Sequence, residues 1–213
     1  MASLPIAGRV EAVVIGTSAG GVEALSTLLP ALPRGLRPPV FVVLHLPRER
    51  PSLLPEIFAP KCAVPVREAV DKEGVERGTV YFAPPDYHLL IEGGRVPGTL
   101  RPIEVQPALA LSDDEPVHHS RPSIDVLFES AADVYGRGLL GIVLTGGNED
   151  GADGLAAVRE RGGLTVVQQA AGAYASAMIE AALSRGEPDY VGPLDGIAAL
   201  LRRLDTMTDD GHG

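Results

Sequence analysis

The chain has 213 residues, of which 18 are basic and 28 acidic, and its formal net charge is −10. An acidic surface repels phosphate backbones and anionic lipid headgroups, so the composition argues against nucleic acid and membrane surfaces as partners. A single cysteine, Cys62, excludes an internal disulfide framework and a zinc site built from several cysteines.

The N-terminal part begins with a buried strand at residues 13–15, which runs directly into the glycine-rich segment 16–21. Apolar residues then recur at helical spacing until Pro33, which ends this predicted helix. The residues predicted to face the core are Val22, Leu25, Leu28 and Leu29. A second apolar strand is predicted at residues 40–44, with both faces covered, and a short helix at 53–58.

The segment 64–104 differs from its surroundings, because Gly and Pro turns separate several short strands. These strands are predicted at residues 64–68, 79–82, 88–92 and 99–103. We expect them to form a small antiparallel insertion. The polar segment 106–119 contains prolines and is predicted to be a long loop, a type of segment that is usually functional or disordered.

Regular alternation of helices and strands resumes after this loop. Pro122 suits the first position of a helix whose predicted core face consists of Ile124, Leu127, Phe128, Ala131 and Tyr135. Strands are predicted at 139–144 and 164–167, and helices at 151–161 and 175–183. The residues of the last of these helices that are predicted to face inward are Ala175, Met178, Ile179, Ala182 and Leu183. Asp195 is predicted to cap a final helix that buries Ile197, Leu200, Leu201 and Leu204.

This alternation predicts an α/β fold, a doubly wound and mostly parallel sheet with helices on both faces and the small antiparallel β insertion. Residues 1–205 form one predicted domain without repeats or linkers, and residues 206–213 a disordered tail. The sequence shows no secretory signal and no apolar run long enough to span a bilayer, so we expect a cytoplasmic protein. In parallel sheets, ligand-binding and catalytic residues usually lie beyond the carboxyl ends of the strands.

The first strand ends in Gly16-Thr17-Ser18-Ala19-Gly20, which matches the pattern G-x-S-x-G. In hydrolases this pattern places a nucleophilic serine on a sharp turn between a strand and a helix. Two other interpretations stay open from the motif alone. One is an ordinary glycine-rich turn with a capping serine, and the other is a phosphate-binding turn at a helix N-terminus.

Two further strand ends carry residues that can activate a serine. His45 follows the second strand, and Asp150 follows the strand at 139–144. Each residue taken alone fits a structural role, but an imidazole base and an orienting carboxylate are what a serine nucleophile needs. We therefore predict a catalytic group of Ser18, His45 and Asp150, with backbone amides near Gly147 able to bind an oxyanion. The chain order of these residues disfavours an ordinary α/β-hydrolase, in which the acid precedes the histidine.

Several segments resemble the catalytic domain of the CheB chemotaxis protein-glutamate methylesterase family. The matching residues are Ile15–Leu25, Val43–Pro47, Val80–His88, His119–Phe128, Val143–Gly146 and Asp150–Ala152, spread over nearly the whole chain in the family's order. Within them, Asp86, His88, His119 and Arg121 match family positions for which we expect structural or substrate-groove roles. The chain departs from the family pattern T-G-M-G-x-D-G, because Gly147 stands in place of methionine and Asn148 in place of glycine.

The resemblance implies that Ser18 is the nucleophile, His45 the general base and Asp150 its orienting acid. It implies hydrolysis of glutamyl γ-methyl esters, and deamidation of some glutamines, on the cytoplasmic helices of methyl-accepting chemoreceptors. It implies that the backbone amide of Gly147 lines the oxyanion hole, and it implies no metal and no other cofactor. We predict Ala19 and Gly20, together with Gly147, as oxyanion-binding or substrate-binding residues.

Members of this family usually carry an N-terminal receiver domain, and the first predicted strand at residue 13 leaves no room for one in this sequence. We therefore expect a stand-alone esterase or a fragment, with separate chemosensory response regulators as further partners. Two alternatives remain. One is a CheB-like binding module impaired in catalysis by the altered segment Gly147-Asn148, and the other is a phosphate-binding or nucleotide-binding protein that uses residues 16–21.

Overall fold

A computed structural model describes residues 4–46, 52–95 and 104–206 of the chain. Its strands are β1 (Ala12–Thr17), β2 (Val40–Leu44), β3 (Val66–Glu68), β4 (Val80–Phe82), β5 (His88–Arg95), β6 (Glu104–Ser112), β7 (Leu139–Val143), β8 (Leu164–Gln168) and β9 (Tyr190–Gly192). Its α-helices are α1 (Gly21–Leu28), α2 (Leu54–Phe58), α3 (Ile124–Tyr135), α4 (Ala152–Glu160), α5 (Ala177–Ser184) and α6 (Leu194–Leu201). None of these helices is long and apolar enough to cross a membrane.

Seven strands form one parallel sheet in the order β3-β4-β2-β1-β7-β8-β9. The chain leaves β1 towards β2 on one side and later returns to β7 on the other side of β1. The strand order therefore reverses between β1 and β7, and ligands of such sheets bind beside this point at the carboxyl ends of the strands. The predicted α/β fold is confirmed.

The central strand β1 is buried along its whole length, and its side chains alternate between two cores. Val13 and Ile15 face a core shared with α1 and α6, whereas Ala12 and Val14 face a core shared with α3, α4 and α5. The apolar run without polar alternation is typical of a strand covered on both faces. These two cores fix the position of β1 and thereby of the turn that follows it.

The antiparallel part of the fold differs from the prediction. β3 and β4 are parallel strands of the main sheet, and within the described residues the separate antiparallel pair consists of β5 and β6. The segment between β3 and β4 bonds to β6, because the amides of Lys72 and Val75 donate to the carbonyls of Leu109 and Pro107. The prediction that these short strands pair in an antiparallel insertion is therefore wrong for β3 and β4.

The predicted loop at 106–119 is wrong in its first half, because β6 extends to Ser112. Pro107 is accommodated by an irregularity in the register beside Gly93, whose φ is +119°. Such a bulge allows a proline within a strand pair. The strand predicted at 99–103 lies outside the described residues.

Several helix details also differ from prediction. Helix α3 begins after Ser123, whose hydroxyl accepts a bond from the amide of Val126, so Pro122 precedes the helix. Pro193 occupies the N-cap of α6, and Asp195 lies in its first turn. Four residues predicted to be buried are not: Val22 and Leu183 are exposed, and Tyr135 and Ala175 are half-buried. Strand β9 was not predicted, since its three residues carry too short a pattern.

Of the predicted tail 206–213, the structure describes only Thr206, which forms an antiparallel bridge with Leu36. Residues 207–213 lie outside the described part of the chain.

Candidate active site

Neighbouring strands bring Ser18 and His45 to the same edge of the sheet. Thr17 at the end of β1 pairs with Leu44 at the end of β2, so the two residues that follow are in register. The amide of His45 donates to the carbonyl of Thr17 at 3.2 Å, and the amide of Ser18 donates to the carbonyl of Thr145 after β7 at 3.0 Å. The turn that carries Ser18 is thus tied to both strands that flank β1.

His45 and Asp150 are in direct contact. The Nε2 atom of His45 lies 2.8 Å from Oδ2 of Asp150, and the carboxylate side chain has no exposed surface. A buried carboxylate can only accept hydrogen bonds, so Nε2 carries the proton and Nδ1 is the basic nitrogen of the neutral ring. The geometry leaves Nδ1 for proton transfer.

Asp150 accepts three further hydrogen bonds at the N-terminus of α3. The amide of Ile124 donates to Oδ2 at 2.7 Å, and the amide of Asp125 and the hydroxyl of Ser123 donate to Oδ1 at 3.0 and 2.8 Å. Burial alone would raise the pKa of this carboxyl, but the hydrogen bonds from His45 and from the two amides outweigh burial and lower it. Asp150 therefore stays ionised and holds the imidazole in one tautomer.

Ser18 lies on a tight turn that small residues make possible. A Cβ atom at Gly16 would lie 2.3 Å from Cγ2 of Ile124. Gly20 has a φ of +81°, and a Cβ there would lie 2.4 Å from Cβ of Tyr174. Ser18 itself is half-buried, and within the described part of the chain its hydroxyl forms no hydrogen bond. A hydroxyl in this position is free to move towards a substrate.

Backbone amides around Ser18 are available for an anion. Among the described residues, no acceptor bonds the amides of Ala19, Gly20 or Gly147. Ala19 and Gly20 lead into the N-terminus of α1, where backbone dipoles favour negative charge. Gly147 is exposed, and the space next to its Cα is open. These are the three positions predicted to bind an oxyanion.

The family-matching residues His88, Asp86 and Arg121 hold the segment before α3. His88 is buried, and its Nδ1 accepts a bond from the amide of Ser123 at 3.1 Å. Arg121 donates to Oδ1 of Asp86 at 2.7 Å and to the carbonyl of Asp113 at 2.6 Å. These contacts fix the loop that presents Ser123 to Asp150, which supports a structural role.

An open cleft of about 460 Å³ adjoins this loop and is lined by His118, His119, Asn148, Glu149, Ala177, Glu180 and Ala181. The fourth family-matching residue, His119, is exposed and lies on this cleft. Its side chain therefore lies on the surface of the cleft and does not pack in the core.

A second buried carboxylate, Asp125, lies beside Asp150, and sequence reasoning gave it no role. Its Oδ1 accepts bonds from the amides of Gly151 and Gly154 at 2.9 and 2.6 Å. Burial, together with the negative charge of Asp150, raises the pKa of Asp125 to about 7. The sequence signal that could have pointed to Asp125 is its position in the family-matching segment His119–Phe128.

His118, Asp125 and Asp153 have ligand atoms within 4.8 Å of one another. Asp153 already pairs with Arg185, and two amides bind one oxygen of Asp125. We therefore assign no metal to this group.

Replacing Asp125 with asparagine is expected to make stability less sensitive to pH. The folded protein keeps the Asp125 proton up to a pKa of about 7, whereas the unfolded chain loses it near a pKa of about 4. The wild type should therefore lose stability as pH rises from about 4 to about 7, and asparagine, which mimics the protonated acid, should remove this loss. Chemical denaturation at several pH values in that range measures it. Asp133→Asn, at an exposed ion pair, is the control, and an unchanged pH dependence in Asp125→Asn would contradict the assignment.

Comparisons with known proteins agree with the motif resemblance. The model of the CheB methylesterase family matches residues 13–201. A protein of Leptospira interrogans, named provisionally as a protein-glutamate methylesterase/protein-glutamine glutaminase, is 43% identical over 195 residues, which cover 92% of this chain and 95% of that protein. Protein-glutamate methylesterase/protein-glutamine glutaminase 1 of Anaeromyxobacter dehalogenans is 39% identical over 199 residues, and the match covers 92% of this chain and 53% of that protein.

A solved structure has the same fold. The crystal structure of the Thermotoga maritima CheB methylesterase catalytic domain superposes with a TM-score of 0.82 and 29% sequence identity, over 91% of this chain and 97% of that one.

Proposed function

This chain belongs to the CheB methylesterase family, and we propose that it hydrolyses glutamyl γ-methyl esters on chemoreceptor signalling helices through an acyl-enzyme on Ser18. Deamidation of glutamines at such sites is the second activity in the proposal. The observation that carries it is the 2.8 Å contact between His45 and buried Asp150, in register with the turn that bears Ser18. We place the protein in the cytoplasm, with chemoreceptor helices and separate response regulators as partners.

In the proposed acylation step, Oγ of Ser18 attacks the ester carbonyl and its proton passes to Nδ1 of His45. The carbonyl electrons move onto oxygen, and the amides of Ala19, Gly20 and Gly147 bind the oxyanion that results. The oxyanion then re-forms the carbonyl and expels methoxide, which takes the proton from Nδ1 and leaves as methanol. A glutamine substrate loses ammonia in the same way.

Deacylation repeats these steps with water. His45 takes a proton from water at Nδ1, and the hydroxide formed attacks the acyl carbon. Collapse of the second oxyanion breaks the bond to Ser18, whose oxygen recovers the proton from Nδ1 of His45. The glutamic acid side chain that results loses its remaining proton to solvent and leaves as a carboxylate. Asp150, with its lowered pKa, stabilises the imidazolium in both steps without itself taking up a proton.

Release of methanol from a methylated receptor tests this function. The purified chain, incubated with methylated cytoplasmic fragments of the chemoreceptors of its own genome, is expected to release methanol and to leave glutamate at the modified positions. Unmethylated fragments are the matched control for methanol, and mass spectrometry of the glutamine positions reports deamidation. Absence of both activities on every fragment would contradict the proposal and favour a CheB-like binding module.

A further inference from the structure

We propose that Ser120 is a positioning residue for proton transfer at His45, and that the side chain of Asn148 holds it in place. This inference rests on the proposed function, because it concerns the nitrogen that takes the proton from Ser18. Neither the serine motif nor the three predicted catalytic residues include these two side chains.

Ser120 lies at the reacting nitrogen. Its Oγ is 3.5 Å from Nδ1 of His45, whereas Nε2 is bound to Asp150 on the opposite side of the ring. Nε2 keeps its proton and donates it in the hydrogen bond to Asp150. The ring therefore becomes charged by taking up a second proton at Nδ1. Ser120 is therefore next to the atom whose protonation changes during each chemical step.

The hydroxyl of Ser120 has partners for both protonation states of His45. The amide nitrogen Nδ2 of Asn148 donates to Oγ at 3.2 Å, and the carbonyl of His118 accepts from the hydroxyl at 3.4 Å. When Nδ1 is unprotonated, the hydroxyl can donate to it. When Nδ1 carries a proton, the hydroxyl can turn to the carbonyl of His118, so that Oγ accepts from the charged ring.

The second arrangement stabilises the charged state more than the first stabilises the neutral one. Hydrogen bonds that involve an ionised partner are shorter and stronger than neutral ones, so the resting 3.5 Å contact should tighten as the imidazolium forms. An interaction that strengthens only on the way to the transition state raises the rate and leaves substrate binding unchanged. This is the expected signature of Ser120.

The backbone and Asn148 fix the position of the hydroxyl. Ser120 and Val117 exchange two backbone hydrogen bonds, of 2.8 and 3.1 Å, which close the loop before α3. Asn148 lies in the same loop as Asp150, and within the described structure its buried Oδ1 has no partner. Among the described residues, the side chain of Asn148 bonds to Ser120. Asn148 stands at the position that is glycine in the family pattern, and glycine could not make this bond.

Among the described residues, the titratable group bonded to His45 is Asp150, on the far side of the ring. His118, whose carbonyl accepts from Ser120, directs its own ring to two other carboxylates. The His118 ring lies 3.4 Å from Oδ2 of Asp125 and 3.3 Å from Oε1 of Glu149. Ser120 itself does not titrate, so its removal changes no charge near His45. A shift in the pH profile of a Ser120 variant therefore reports the lost contact.

Ser120→Ala is expected to lower kcat about tenfold with little change in KM, and to move the acidic limb of the kcat/KM profile to lower pH by about 0.5 to 1 unit. Ser120→Thr, which keeps the hydroxyl, should restore both quantities towards wild type. Asn148→Gly should change them in the same direction by a smaller amount. Ser184→Ala, at an exposed serine near the end of α5, is the matched control and should behave as wild type.

Wild-type kcat and an unmoved acidic limb in Ser120→Ala would overturn the assignment. So would complete loss of activity accompanied by loss of covalent labelling at Ser18, because Ser120 would then do more than position His45. An NMR titration of the His45 ring in wild type and Ser120→Ala tests the contact independently of turnover. The midpoint should move to lower pH in the variant, and equal midpoints would overturn the proposal even if the wild type proved inactive on receptors.

Discussion

Replacing Ser18 with alanine is expected to lower ester hydrolysis about ten-thousand-fold or more, while the midpoint of thermal unfolding stays at the wild-type value. The loss of rate follows because the proposed acyl-enzyme cannot form without the hydroxyl. Stability should be kept, because Ser18 is half-buried and its hydroxyl bonds no described residue. Methanol release from a methylated receptor fragment and thermal unfolding, measured on the same preparation, check both parts.

The control for this variant is Ser184→Ala, which removes a serine hydroxyl outside the site. A Ser18→Ala protein that still turns over within tenfold of wild type would contradict the role of Ser18. A large loss of thermal stability would show instead that the hydroxyl supports the fold.

Asp150→Asn is expected to reduce both activity and stability. An asparagine side chain must place an NH₂ group against donors that now point at a carboxylate, either His45 and Ile124 or Ser123 and Asp125. Next to His45 it also favours the tautomer with a proton on Nδ1, which removes the base. We expect a fall in kcat of about ten-thousand-fold and a loss of about 3 kcal/mol in the free energy of unfolding.

The stability difference between Asp150→Asn and wild type should depend on pH. The folded pKa of Asp150 lies below its value in the unfolded chain, so the hydrogen bonds of the carboxylate stabilise the fold above a pH of about 4. This contribution is lost as the pH falls through the folded pKa, and the difference should therefore shrink in acid. Denaturation curves at neutral and acid pH measure it, and wild-type kcat or an equal difference at all pH values would contradict the account.

The sequence predicts the centre of this fold better than its edges. β1, β2 and β7 consist mainly of buried aliphatic residues, and the predicted bounds of β2 agree with the observed ones because both of its faces are buried. β3 and β4 have only three residues each, so local pattern could not distinguish a parallel edge from an antiparallel insertion. The position of Pro107 beside a bulge depends on Gly93 of the partner strand and is likewise a tertiary property.

The candidate site divides in the same way. Ser18, His45 and Asp150 each follow a strand, and the end of a parallel strand is a position that sequence pattern can locate. Ser123, Asp125 and Ser120 reach the site from the segment before and within α3, over contacts such as the bond from Ser123 to Asp150. No local spacing indicates that this segment meets the loop after β7. Its functional residues needed the tertiary structure.

The covalent labelling site under a fluorophosphonate probe tests the central claim most directly. Peptide mass spectrometry of the labelled chain should find one adduct, on Ser18, that is absent in Ser18→Ala, forms slowly in Asp150→Asn and persists in Ser120→Ala. An adduct on Ser120, or no adduct on a protein that still releases methanol, would contradict the assignment of Ser18 as the nucleophile.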